Sequence, residues 1–155
     1  MAHFNCLLTI AVLSFVSTSD ATCKSPFQEV GSACIYVNSE EKMNWSQARD
    51  YCRAIDYSYD QPDLAVVNDC RDLNPIRQHL LLYHGVGDYW LGGYDIAQEG
   101  FWHWVNDQPI DMGIPFWVIN SPDGGSQENC LRMMYPSGYF DDTGCMEENY
   151  VLCSV

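Results

Sequence analysis

The sequence predicts an α+β domain stapled by disulfides. Three observations carry this: two amphipathic helical stretches in the first half, a succession of short aromatic-rich strands after Gly87, and eight cysteines in a chain of 155 residues. That length suits one domain with a core of its own. A composition 47% apolar and 14% aromatic belongs to a folded chain rather than a disordered one.

Taken in order, Ala33–Val37 (Ala-Cys-Ile-Tyr-Val) reads as a short strand, rich in the residues that suit a pleated, half-buried surface. Residues 43–54 follow with helical spacing. Trp45, Ala48 and Cys52 fall on one face behind an Asn44 cap. Leu64-Ala65-Val66-Val67 is a buried apolar run. Asn74 then caps, and Pro75 opens, a second helix through His84, with Ile76, Leu80 and Tyr83 on its apolar side and Gly85 as the stop. Cys70 falls outside that helix or in a distorted first turn. After Gly87 four strands are predicted, at residues 89–93, 101–105, 131–135 and 150–153. Residues 106–127, rich in Pro, Gly and Asp, form a loop between the second and third of these, long enough to suggest a functional role.

At the start, Leu7–Val16 is a short apolar run followed by small residues, the pattern of an export signal. Residues 1–21 are expected to be removed as a signal peptide, leaving a secreted, extracellular domain over 22–155. No segment is long enough to span a bilayer. Cys6 would leave with the signal. Of the seven remaining cysteines six can pair, and spacing alone leaves the pairing open. No Cys-x-x-Cys is present, which removes zinc-ribbon and thioredoxin-like readings.

The net charge of −14 argues against nucleic acid and against anionic membranes, since both need Lys and Arg that are scarce here. Hydrolase, zinc-protease and phosphate-loop motifs are absent, so the chain reads as a non-enzyme. His79, His84 and His103 show no metal-ligand spacing and read as ordinary, partly exposed histidines. Trp45, Trp90, Trp102 and Trp104 read as core. Asn44-Trp45-Ser46 is a glycosylation sequon at a helix start.

The acidic C-terminal third is more informative. Glu128-Asn129-Cys130, Phe140-Asp141-Asp142 and Cys145, with Asp111 and Asp123 nearby, meet a single basic residue, Arg132, between Asp107 and Cys145. Carboxylates gathered on a folded loop repel unless a cation joins them. An all-oxygen donor set with no thiolate or imidazole selects Ca²⁺ over zinc or copper.

These motifs, taken together and in order, resemble the C-type lectin-like domain family from Cys23 to the C-terminus. Cys23-x10-Cys34 resembles the N-terminal hairpin of its long form, and Trp45-Ser46-Gln47-Ala48-x3-Cys52 its first helix. Trp90-Leu91-Gly92-Gly93 and Trp102-His103-Trp104 resemble its core strands. Glu128-Asn129-Cys130, Phe140-Asp141-Asp142-x2-Cys145 and Cys153 complete its C-terminal signature. The resemblance implies two helices and two small antiparallel sheets with a long ligand-binding loop, and the disulfides Cys23–Cys34, Cys52–Cys153 and Cys130–Cys145.

It further implies a Ca²⁺ ion held by Ser121 and Asp123 around Pro122, by Glu128, and by Asp141 and Asp142, with the same five residues binding carbohydrate. A cis Ser121–Pro122 bond would aim the flanking residues at the ion. Ser121 departs from the amide or carboxylate usual at its position, while Asp123 matches the second place of the galactose-type order. The function implied is a secreted, calcium-dependent lectin recognising microbial surface glycans in innate immunity. Agglutination would need multivalency, which a homodimer linked through Cys70 would supply. The alternative is a calcium-independent lectin-like domain that binds a protein or other non-sugar ligand. Cys70 stands outside the family's pairing, either as a buried thiol or, given its polar neighbours Asp69, Arg71 and Asp72, as an exposed one available for an interchain bond.

Overall fold

The first helix, α1 (Trp45–Arg53), begins where its cap predicts. Asn44 is extended, its side chain accepts from the Gln47 N–H at 3.0 Å, and the Gln47 side chain accepts from the Asn44 N–H at 3.2 Å, closing a capping box. The sequon asparagine is therefore engaged as a helix cap. Trp45, Ala48 and Cys52 form the buried face. The computed structural model describes residues 23–58, 60–112 and 116–155. The expected signal peptide and Cys6 lie outside the described residues.

The second helix, α2, runs Cys70–Tyr83, so it begins at Cys70 and not at Pro75. Asp69 is the reason. In extended conformation, its carboxylate accepts from the Arg71 N–H at 2.8 Å, and its carbonyl accepts from the N–H groups of Asp72 and Leu73. Pro75 is tolerated because the carbonyl it leaves without an intrahelical partner is that of Arg71, in the exposed first turn. Asp72 ties the helix start to the N-terminal hairpin turn at Gly31–Ser32, accepting from the Ser32 N–H at 2.8 Å and hydroxyl at 2.7 Å. Cys70, at the first helical position, carries a free and exposed thiol, which overturns the buried-thiol reading.

Among the described residues, eight strands follow one connected ladder: β1 (Gln28–Val30), β2 (Ala33–Met43), β3 (Asp63–Leu64), β4 (Tyr89–Tyr94), β5 (His103–Trp104), β6 (Cys130–Met133), β7 (Phe140–Thr143) and β8 (Asn149–Ser154). The order is β1-β2-β8-β4-β6-β7, with β3 on β8 and β5 on β4. The antiparallel groups β1-β2-β8 and β4-β6-β7 are joined where β4 and β8 run parallel, Tyr89 opposite Tyr150 and Trp90 opposite Val151. The strand at the N-terminal hairpin extends to Met43, beyond Val37, because its second half continues along β8 past a bulge between Asn38 and Met43.

Both faces of this sheet are covered, which explains near-continuous apolar runs in place of strict alternation. On one face α2 contributes Leu73, Ile76 and Leu80 to a core with Leu91, Trp104, Leu131, Phe140 and Leu152. On the other, α1 packs Trp45, Ala48 and Cys52 on Trp90, Cys130 and Val151. The four tryptophans expected in the core are buried there. Two of them pair their indole N–H across the layers, Trp45 donating to the Leu91 carbonyl at 2.9 Å and Trp90 to the Met43 carbonyl at 2.7 Å. Gly92 lets the chain cross closely here, since a Cβ would stand 2.8 Å from the Leu64 carbonyl oxygen.

Three disulfides pin the layers: Cys23–Cys34, Cys52–Cys153 and Cys130–Cys145. The second joins α1 to β8 across 101 positions, and chain-entropy reasoning puts its contribution at about 4 to 5 kcal/mol. The third holds the start of β6 against the chain leaving β7. Between β5 and β6 the long loop is anchored rather than free. Ile110 and Phe116 are buried, and Phe116, Val118 and Phe140 exchange backbone hydrogen bonds along β7.

Candidate metal and ligand site

β7 sets the geometry of the site. Strand alternation sends Asp141 and Asp142 to opposite sides, and the β6–β7 register places Asp141 opposite Arg132 and Asp142 opposite Leu131. Asp142 is only 2% exposed. Its carboxylate accepts the N–H of Asp123 (3.0 and 3.1 Å) and of Gly124 (2.8 Å), which fixes the turn after the cis Ser121–Pro122 peptide. The turn runs into a short 3₁₀ segment, Gly125–Gln127, that delivers Glu128 back toward Asp142.

Asp123, Glu128 and Asp142 each offer a carboxylate oxygen within 4.8 Å of the others, a group of three metal-capable side chains among the described residues. Gly124 makes this approach feasible, because a Cβ there would collide with the Glu128 side chain. Glu128's carboxyl is pushed up from its ordinary range, first by burial and then by the charges of Asp142, Asp141 and Asp123. Burial is the largest single cause of this rise; repulsion from the three neighbouring carboxylates adds to it, and Arg132 offsets it in part. A hard divalent cation would offset it, and the all-oxygen donors fit calcium.

Ser121 and Asp141 are placed differently. The Ser121 hydroxyl donates to Asp141 Oδ1 at 2.7 Å, while Arg132 donates to Asp141 Oδ2 from Nε (3.1 Å) and Nη2 (2.8 Å). The same guanidinium reaches Asp88 at 3.4 Å. Of the five residues expected at the ion, three converge on one point and two are bound to each other beside it. Arg132 is the residue whose part the sequence reading left unassigned. Its signal was the lone positive charge at a strand position that a β6–β7 hairpin sets against Asp141.

Asp95, at the end of β4's edge of the site, was also missed. It is 2% exposed, its Oδ2 accepts the Gly100 N–H at 2.8 Å, and its Oδ1 has no partner among the described residues. Burial is the main cause raising its carboxyl, and the Asp142 charge adds to it. Beyond the loop, Trp117 packs edge-on to Trp102 and Phe140, so it fills the base of the loop. The apolar groove beside Ser121 is lined by Val118, Ile119, Tyr135 and Tyr139.

Comparison with known proteins places this arrangement. The sequence profile of the Lectin C-type domain matches residues 41–155. Human "C-type lectin domain family 17, member A" is 29% identical over 133 residues, which is 85% of this chain and 32% of that protein. The chain spans 32% to 60% of the lengths of the first curated relatives it matches. Among solved structures, the cow carbohydrate-recognition domain of CD23, determined in the presence of GlcNAc2Man3 oligosaccharide, superposes with a TM-score of 0.72 at 25% identity, covering 87% of this chain and 96% of that one. A calcium-independent type II antifreeze protein superposes with a TM-score of 0.69 at 20% identity, covering 86% and 93%, and shares the fold.

Proposed function

The chain belongs to the C-type lectin domain family, and from that membership we propose that it is a calcium-dependent carbohydrate-binding protein. The family is one of non-enzymatic binding domains, in keeping with the lack of catalytic motifs. The observation that carries the proposal is the convergence of the Asp123, Glu128 and Asp142 carboxylates, each with an oxygen within 4.8 Å of the others.

Calcium at this point would supply open coordination positions for paired sugar hydroxyls. The chain's own residues do the rest. Asp142, buried and held by two backbone N–H groups, fixes the turn so that Asp123 and Glu128 stay convergent. The remaining oxygens of those two carboxylates can accept from ligand hydroxyls, while Ser121 and Asp141 form a hydroxyl–carboxylate edge beside them. One such shallow site binds weakly, so avidity would come from several copies. The exposed Cys70 thiol suits an interchain bond that would supply two. With residues 1–21 removed on export, the partners would be glycans on microbial or other cell surfaces, in a role of innate recognition. No helix among the described residues is long and apolar enough to cross a membrane.

A glycan panel probed with and without EDTA tests this. Binding that needs calcium and fails in EDTA is the expected result; sugar binding indifferent to EDTA removes calcium from the proposal. A second reading, a calcium-independent domain for a protein or other non-sugar ligand, draws on the Ser121–Asp141–Arg132 group, which satisfies its own hydrogen bonds without an ion. Under that reading millimolar calcium leaves the melting temperature unchanged.

A further inference from the structure

We propose that His79 and His84 form a second metal site, separate from the carboxylates, that takes one imidazole-seeking divalent transition ion such as Zn²⁺. His79 lies in the last turns of α2 and His84 caps its end. Their Nε2 atoms stand 3.1 Å apart, with ring centroids at 5.0 Å and planes tilted by 43°. Two Zn–N bonds of about 2.05 Å place their nitrogens about 2.9 Å apart at a right angle and about 3.3 Å apart at the tetrahedral angle. The observed separation falls between these limits.

The surroundings favour a cation. The other nitrogen of His84, Nδ1, lies 3.4 Å from the Ser39 hydroxyl, an acceptor for an Nδ1–H in the tautomer whose Nε2 carries the lone pair. The C-terminal end of α2 adds the negative pole of the helix, and its last turn carries no Lys or Arg. Burial lowers the pKa of both histidines, and the neighbouring His79 adds to this at His84, which favours the neutral, ligating form of each ring. In the metal-free protein one imidazole N–H bridges the two Nε2 atoms. Metal binding requires both rings to carry their protons on Nδ1, so the ring that donates in this bridge changes tautomer with no net proton released. Water would fill the remaining positions.

Isothermal titration of Zn²⁺ into the whole chain, in millimolar calcium to occupy the carboxylates and with Cys70→Ser to remove the exposed thiol, tests the site. One equivalent is expected to bind, with affinity falling about tenfold or more in both His79→Gln and His84→Gln, the scale of losing one ligand or its support. The affinity should also fall as pH drops below the ordinary histidine range and protons compete. In the Cys70→Ser chain without histidine changes, Zn²⁺ should shift the imidazole ring resonances of both His79 and His84. No binding up to millimolar Zn²⁺, an affinity indifferent to both substitutions, or unshifted ring resonances would overturn the proposal and leave the pair as a hydrogen-bonded clasp.

Discussion

Asp141 and Asp142 are neighbours on one strand, yet they sit in opposite electrostatic settings. On the Asp141 side the chain carries its own cation, Arg132, and a hydroxyl from Ser121, so each carboxylate oxygen is satisfied. On the Asp142 side three carboxylates converge, and only backbone N–H groups and the distant Arg132 offset them. The first region is complete as folded. The second is incomplete in charge, and charge deficits of this kind are where ions bind. Strand alternation alone produces the division.

The comparison can be broken most severely at Asp142. Asp142→Asn removes one of three charges and weakens two backbone hydrogen bonds to a charged acceptor. Calcium affinity measured by titration should fall roughly 10- to 100-fold, the equivalent of losing about 1.5–3 kcal/mol. Arg132→Met acts in the other direction on the ion. It frees Asp141 and adds net negative charge, so calcium affinity should rise several-fold while the calcium-free protein loses about 1–3 kcal/mol in denaturant unfolding, between the values for exposed and buried pairs. An unchanged calcium affinity in this variant would mean that the two regions do not communicate.

Gly124→Ala drives a methyl into Glu128, and overpacking of this kind costs about 1–3 kcal/mol. Calcium affinity should drop with it, while the Arg132–Asp141 side, followed by its resonances, stays in place. Acid sharpens the contrast more gently. Glu128 holds its proton more tightly in the folded, calcium-free protein than in the unfolded chain, whose ordinary value is 4.5. Without calcium, therefore, stability should decline as pH rises from below 4.5 through the raised folded value. In the same interval calcium affinity should climb, because the ion and the proton compete for one carboxylate. Smallest of all is Ser121→Ala, which removes one hydrogen bond to Asp141, worth about 1 kcal/mol, and should leave calcium affinity within a few-fold.

The acidic set was legible in the sequence because the residue types themselves state the chemistry. Asp123, Glu128 and Asp142 needed no geometry to be suspected. Their separation from Asp141 and Ser121 was not legible, because it depends on the β6–β7 register and on which way each residue of β7 faces. That strand was itself hidden: Phe140-Asp141-Asp142-Thr143 carries one large apolar residue and reads as a loop motif. α1 was readable from Asn44 and the spacing of Trp45, Ala48 and Cys52 because its cap and its face are local; the part Gln47 plays in the capping box was not foreseen. α2 was misplaced at its start because Asn74-Pro75 makes a persuasive opening, while Asp69 caps through contacts with Arg71 that only the folded turn reveals. The His79–His84 pair escaped notice for a related reason. A separation of five residues does not share a helix face, and the rings meet because the chain leaves the helix at His84.

Thermal melting in graded calcium, with Asp142→Asn beside the unaltered chain, tests the account most directly. At calcium ten times the Kd the unaltered chain should gain about 1.4 kcal/mol of stability, and the variant, binding roughly 10- to 100-fold more weakly, should gain no more than about 0.4 kcal/mol at the same concentration. Equal stabilisation of both proteins, or of neither, would contradict the assignment of the ion to Asp123, Glu128 and Asp142.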